Sequence, residues 1–202
     1  MAVWLSAQPL VLASRSAVRR TLLEAAGIPV SAHAADIDER RLEAEAASLP
    51  AADIAALLAR AKALSVAKSF PGRLVLGADQ ILTFGGKRFA KPIDRAAARA
   101  QLRAFAGRTH ELHSAVAAVQ DEATLFQHAD TARLTMRSFS DEFLDRYLDA
   151  AGDALTASVG AYKLEGPGIQ LFERIEGDYF TILGLPLLPT LEFLRRHGCL
   201  MT

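Results

Sequence analysis

Residues able to do chemistry cluster in three stretches of the chain. The first, Ser14-Arg15-Ser16-Ala17-Val18-Arg19-Arg20, follows a short apolar run, Pro9-Leu10-Val11-Leu12-Ala13. A strand that runs into a serine-capped helix start presents unpaired backbone N–H groups and the positive end of the helix dipole. Arginines in that first turn are electrostatically misplaced unless an anion sits there. A phosphate resolves the conflict, because backbone donors and guanidinium forks converge on it. Read alone, the same stretch serves as well as a solvated basic turn. It matches neither a Walker A loop nor a GxGxxG turn, so P-loop and Rossmann phosphate sites are excluded.

The second and third stretches supply carboxylates and an ammonium. Asp79 closes the apolar run Leu74-Val75-Leu76-Gly77-Ala78, which reads as a buried strand ending at the aspartate. A carboxylate there is costly to bury without a cation or donors around it. Glu39 lies in Asp36-Ile37-Asp38-Glu39, read as an acidic loop, and Lys91 precedes Pro92. Two carboxylates beside a phosphate chain suit Mg²⁺ or Mn²⁺, which take oxygen ligands and retain waters. Each residue also has a structural alternative: Asp79 a turn former, Glu39 a loop acid, Lys91 a solvated lysine. The histidines at 33, 110, 113, 128 and 197 form no HExxH pair. His110 and His113, three apart in a strand, face opposite sides, which argues against zinc. No G-x-S-x-G elbow is present.

The elements that must position these residues alternate between helix and strand. A helix after Ser16 carries Leu22, Leu23 and Ala26 and closes at Gly27. A second strand is expected over 29–34. An alanine-rich helix follows over 51–69, with Ile54, Leu57, Leu58 and Leu64 at helical spacing. Gly85-Gly86 reads as a hairpin turn, followed by a helix near 94–105, strands near 109–120 and 124–137, and a helix after Ser140. The C-terminal region reads as a strand, a Gly166-Pro167-Gly168 turn, a strand through Phe172, a break at Gly184-Leu185-Pro186 and a terminal helix through Arg196. The pair over 109–137 looks antiparallel, so a mixed α/β sheet is expected.

Composition sets the remaining bounds. With 202 residues and 51% hydrophobic content the chain builds a sizeable core, and it reads as a single domain over 1–202. Lys plus Arg and Asp plus Glu are 23 each, so no global field recruits nucleic acid or an anionic membrane. The lone Cys199 excludes an internal disulfide and fits a reducing compartment. No segment is apolar and long enough to span a bilayer, and the N-terminus lacks the basic flank of a signal peptide. A cytoplasmic protein is expected.

Five separated blocks together resemble the Maf family of nucleoside triphosphate pyrophosphatases. They are Leu12-Ala13-Ser14-Arg15-Ser16 with Arg19-Arg20; Asp38-Glu39; Gly77-Ala78-Asp79-Gln80; Lys91-Pro92 with Gly107-Arg108-Thr109-His110; and Gly160-Ala161-Tyr162 through Glu176-Gly177-Asp178-Tyr179 to Gly184-Leu185-Pro186-Leu187. The resemblance implies an inosine-triphosphatase-like fold, an elongated mixed sheet flanked by helices, with two lobes and a central nucleotide cleft. It implies hydrolysis between the α and β phosphates, giving a nucleoside monophosphate and pyrophosphate. Ser14, Arg19, Lys62 and Lys91 would hold phosphates. Glu39 and Asp79 would hold the divalent metal, Mg or Mn, with Asp79 as general base. The resemblance also implies a cytoplasmic enzyme, often a homodimer.

Within the family, the chain is more similar to the 7-methyl-GTP branch than to the branch acting on dTTP and UTP. The pyrimidine branch typically has Asp-Thr-Val and Tyr-Gly-Ile-Gln-Gly; here the matching stretches are Asp79-Gln80 and Tyr162-Lys163-Leu164-Glu165-Gly166. Guanine presents N1–H and N2–H side by side, and the Glu165 carboxylate can accept both. Val18 departs from the tryptophan of one branch and the arginine of the other, and cannot stack on a methylated purine. A dTTP or UTP pyrophosphatase, a nucleotide-binding septum or cell-division regulator without turnover, and a generic phosphatase are the alternatives. Leu164 and Glu165 also read as plain strand residues.

Overall fold

In a computed structural model describing residues 3–202, fifteen α and β elements follow one another in the interleaved order the sequence suggests. They are β1 (Leu10–Ala13), α1 (Ala17–Ala25), β2 (Val30–Ala32), α2 (Glu39–Glu45), α3 (Ala51–Ala67), β3 (Leu74–Phe84), β4 (Lys87–Phe89), α4 (Arg95–Phe105), β5 (Thr109–Gln120), β6 (Ala123–Met136), α5 (Asp141–Ala151), α6 (Ala154–Ala157), β7 (Phe172–Glu176), α7 (Tyr179–Ile182) and α8 (Leu187–Arg196). Seven strands form one sheet in the order β2-β1-β3-β5-β6-β7, with β4 on β3. β1 runs parallel to β2 and β3, whereas β3/β4 and β6/β7 are antiparallel. The fold is therefore a mixed α/β sheet flanked by helices. No helix among the described residues is long and apolar enough to cross a membrane.

The chain divides into two compact units. One comprises the described residues to Gln80, Ser114–Asp130 and Tyr179–Thr202. Its strands are apolar on both sides because helices cover both. Leu10, Leu12, Leu76, Ala78, Val116 and Ala118 pack with Leu23 of α1 and with Leu187 and Leu194 of α8. Val11, Ala13, Val75 and Val119, on the other face, pack against Ala63, Val66 and Ala67 of α3. Gly77 lets α3 sit directly on the sheet: a Cβ there would stand 2.1 Å from the Ala59 carbonyl oxygen. Trp4 pairs with Leu200 in an antiparallel bridge, flanked by Leu5 N–H to Cys199 O and Met201 N–H to Val3 O.

The other unit is Ile81–His113 with Thr131–Asp178. The β3–β4 hairpin turns at Gly85 and Gly86 with φ of 57° and 73°, the left-handed pair that a two-residue turn requires. Helices α4 and α5 are laced by ion pairs, Arg95–Asp149, Arg99–Asp145, Arg99–Asp141 and Arg103–Asp141, at 2.7–3.3 Å. Each partner recurs every fourth residue, so all six lie on facing stripes.

Three sequence expectations need correction. The acidic stretch is not all loop: Asp38 caps α2 by accepting from Arg41 N–H at 3.0 Å, and Glu39 opens that helix. Asp79 does not end its strand but lies at the middle of β3. The segment before Phe172 is not a strand; 3-10 turns occupy Val159–Ala161 and Pro167–Leu171, and β7 begins at Phe172.

Candidate functional site

The site in the first unit grows from a break in pairing along β3. Ala13, the last residue of β1, registers with Gly77, and β4 registers with β3 only from Leu82. Ala78 and the residues just after it are therefore left without a registered partner on that edge, and their polar groups need other partners. Arg19 supplies one, donating from Nη1 to Ala78 O at 2.7 Å and to Ser14 Oγ at 3.3 Å. Its Nε donates to Gly184 O at 2.7 Å. Ser16 caps α1 by accepting from Arg19 N–H, and Ser14 Oγ accepts from Ser16 N–H at 3.2 Å. Burial pulls the Arg19 guanidinium below its ordinary range, opposed by the charges of Asp79 and Glu39. Its Nη2 amino group makes none of these three contacts. Arg20 instead turns outward to Glu24, and Val18 sits half-buried one residue before Arg19.

Asp79 shares its sheet face with Gly77 and so points toward α3. Lys62 Nζ donates to Asp79 Oδ1 at 2.6 Å and lies 2.9 Å from Glu39 Oε2. Asp79 is 7% exposed. Burial raises its pKa; Lys62 and Arg19 pull it down without cancelling the burial, and Glu39 adds to the rise. A raised carboxyl is a better proton acceptor once ionised. Two carboxylate oxygens thus converge on one cationic centre, the ammonium standing where a divalent cation could find both. Among the described residues no third His, Cys, Asp or Glu joins them. A metal here would draw its other ligands from water or substrate, as Mg²⁺ does.

Gln80 faces the opposite side of β3 and is committed to the protein. Its Nε2 lies 2.9–3.1 Å from Ser114 Oγ, Thr181 O and Ile182 O, and Ser114 Oγ donates to Thr181 O at 2.6 Å. Gln80 therefore ties β3 to the end of α7, two residues before the Gly184 carbonyl that Arg19 holds. The sequence carries no signal for Ser114, and marks Gly184 only as a chain break and part of a resemblance block, without the carbonyl role seen here.

In the second unit, Lys91 is exposed between β4 and α4. Glu165 is exposed in the turn between the two 3-10 segments. There it lines a pocket of about 260 Å³ with Tyr147, Ala150, Ala151, Lys163 and Gly168. His113 lies between Thr83 Oγ1 and Thr131 Oγ1, each 2.9 Å away, while His110 faces the other side of β5 toward Tyr162. The opposite-face expectation for these histidines holds.

Residues 9–197 match the family described as Maf-like protein. Across 201 residues, 99% of both chains, the sequence is 58% identical to a nucleoside triphosphate pyrophosphatase of Rhodopseudomonas palustris. Over 194 residues, 95% of this chain and 97% of the relative, it is 53% identical to a 7-methyl-GTP pyrophosphatase of Brucella suis. Among solved structures, a HAM1 protein from Coxiella burnetii aligns at 15% identity and a TM-score of 0.37, over 63% of this chain and 72% of that one.

Proposed function

This chain belongs to the Maf family, and from that membership we propose that it hydrolyses nucleoside triphosphates between the α and β phosphates, releasing a monophosphate and pyrophosphate. The observation that carries the reading is the convergence of Glu39 and Asp79 on the Lys62 ammonium. A bound Mg²⁺ or Mn²⁺ on these carboxylates would neutralise phosphate charge and polarise a water. Asp79 accepts the proton as water oxygen bonds to phosphorus and the anhydride bond breaks, with pyrophosphate leaving. With a metal held by these carboxylates, Lys62 would be free to neutralise phosphate oxygens, a role Lys91 would share. Ser14 and the Nη2 group of Arg19 hold the phosphate chain at the α1 N-terminus. Phosphoryl chemistry asks little else of a protein than positioning and charge.

Glu165 selects the base, accepting from guanine N1–H and N2–H, and 7-methyl-GTP is the substrate it fits best. Support comes from the carboxylate at this position, from the small-walled pocket it lines, and from the name of the Brucella suis relative. With Val18 in place of an aromatic, hydrogen bonding at Glu165 rather than stacking carries the discrimination. Gln80 contributes indirectly, by fixing the α7 end. The test is incubation with 7-methyl-GTP, GTP, UTP and dTTP and Mg²⁺ or Mn²⁺, assaying pyrophosphate and orthophosphate separately. Pyrophosphate as first product supports the reading. Orthophosphate first, or binding without turnover, replaces it with a phosphatase or a nucleotide-binding regulator.

A further inference from the structure

We infer that His110 and Tyr162 form a lock that positions Glu165, and so govern base discrimination without touching the substrate; this rests on the reading of Glu165 above. Two sequence blocks have no part in the hydrolysis just described, Gly107–His110 and Gly160–Tyr162, and the fold brings them together. His110 Nε2 and Tyr162 Oη are 2.7 Å apart, with the two residues 1% and 4% exposed. Phe105 stacks on the imidazole at 5.0 Å and Phe172 closes on both rings at 5.9 Å and 4.9 Å. Burial lowers the His110 pKa to about 4, so the ring is neutral around neutral pH. His110 Nδ1 has no hydrogen-bond partner among the described residues. The bond to Tyr162 is thus the one polar contact the buried ring makes, and losing it would leave two buried polar groups stranded.

The lock acts on a segment that holds a costly shape. Gly160 and Ala161 both adopt left-handed backbone, with φ of 83° and 62°. For alanine that conformation persists only where surroundings impose it. A Cβ on Gly160 would meet Tyr162 Cε1 at 2.6 Å and Leu82 Cδ1 at 2.9 Å, so the tyrosine ring lies on bare backbone. Tyr147 Oη donates to Ala161 O at 3.0 Å, and Ser158 Oγ donates to Tyr162 O at 2.6 Å. Three residues onward stands Glu165, in a turn folded tightly on itself. Gly166 N–H bonds Lys163 O, and a Cβ on Gly168 would lie 2.4 Å from that oxygen. Such a turn moves as a piece, so displacement at Tyr162 is passed to the Glu165 carboxylate. Tyr147 both pins Ala161 and lines the pocket.

The experiment compares kcat/KM for 7-methyl-GTP, GTP, UTP and dTTP in the full-length wild type, Tyr162→Phe, His110→Leu, His110→Gln and Glu165→Gln. Tyr162→Phe keeps the ring and removes only the hydroxyl; His110→Gln keeps a polar group near the Nε2 position. We expect Tyr162→Phe and His110→Leu to narrow the spread of kcat/KM between bases by about 10-fold, the scale of sub-ångström misplacement of a recognition group. The change should be carried by KM, and His110→Gln should recover most of it. If Glu165→Gln alters base ratios while Tyr162→Phe does not, the lock is overturned and the role of Glu165 stands. If neither alters them, both fall. A uniform loss of kcat for every nucleotide with unchanged ratios would show packing only, and would also overturn the lock.

Discussion

Lys62 donates to Asp79 at 2.6 Å from a helix that touches the strand at a glycine. The contact depends on how closely α3 lies over β3, and Gly77, two residues before Asp79, sets that distance. The Lys62 side chain is only 12% exposed, and its ammonium also reaches Glu39. Removing Lys62 or Glu39 therefore changes the protonation of Asp79, and removing any of the three disturbs the placement of the other two.

Asp79→Asn should lower kcat by about 10²-fold or more, the usual scale for a general base. Steady-state rates on the folded variant check this. Near-wild-type turnover in the folded variant would remove Asp79 from the mechanism.

The raised pKa of Asp79 has a stability consequence with a definite sign. A carboxyl whose folded pKa is raised contributes stability that is full below its unfolded value and is lost as pH rises through the folded value. Asparagine has no proton to lose, so Asp79→Asn should gain stability relative to wild type as pH rises through that window. Urea denaturation of both proteins at several pH values, without metal, measures the difference; a difference independent of pH would contradict the raised pKa.

Arg19→Lys keeps the charge but cannot span Gly184 O, Ala78 O and Ser14 Oγ together. Leaving a buried carbonyl unpaired costs about 1–3 kcal/mol, so Tm should fall by roughly 2–12 °C at about 2–4 °C per kcal/mol. KM for a triphosphate should rise more than the Kd for a monophosphate. Scanning calorimetry and binding measurements check the two effects, and unchanged values in both would make Arg19 an ordinary surface residue.

Gly77→Ala should destabilise by about 3 kcal/mol or more, beyond ordinary overpacking, because the obstacle is the Ala59 backbone rather than a side chain. Activity should fall further than stability alone explains, since α3 carries Lys62 away from Asp79. Denaturation midpoints and kcat on the folded fraction separate the two losses.

Glu165→Gln should shift preference away from 7-methyl-GTP and toward UTP or dTTP by roughly 5- to 150-fold in the kcat/KM ratio. An amide accepts from only one of the two guanine N–H groups, and its own NH₂ then faces a donor. The preference for a triphosphate over a diphosphate should not move. Unchanged base ratios would mean that Glu165 does not meet the base.

Much of this was legible in the residues. The Ser16 cap, the Gly85-Gly86 hairpin, the α5 start after Ser140 and the mixed sheet all follow from local chemistry with short-range signals. Asp79 reads as a strand end because the apolar run stops there, while the strand continues through Gln80–Phe84, whose polar members answer to cross-strand partners. Asp38-Glu39 reads as loop because a seven-residue helix leaves too short a pattern. Lys62 carries no local signal in an alanine-rich helix; family resemblance alone singled it out. Its reach to Asp79 is a tertiary consequence of Gly77. The sequence offers Arg19 an anion or open solvent, but two of its partners are carbonyls distant in sequence, which no spacing rule reveals.

Trp4 is the chain's single tryptophan, and its strand-like bridge to Leu200 seats it against the core of the first unit. Its ultraviolet emission is therefore a built-in optical probe of one seam. A red shift during heating or denaturant titration reports that residues 3–5 have peeled from 199–201. Compared with circular dichroism and turnover in the same sample, that signal separates fraying at the seam from collapse of the sheet around Asp79, with no dye attached.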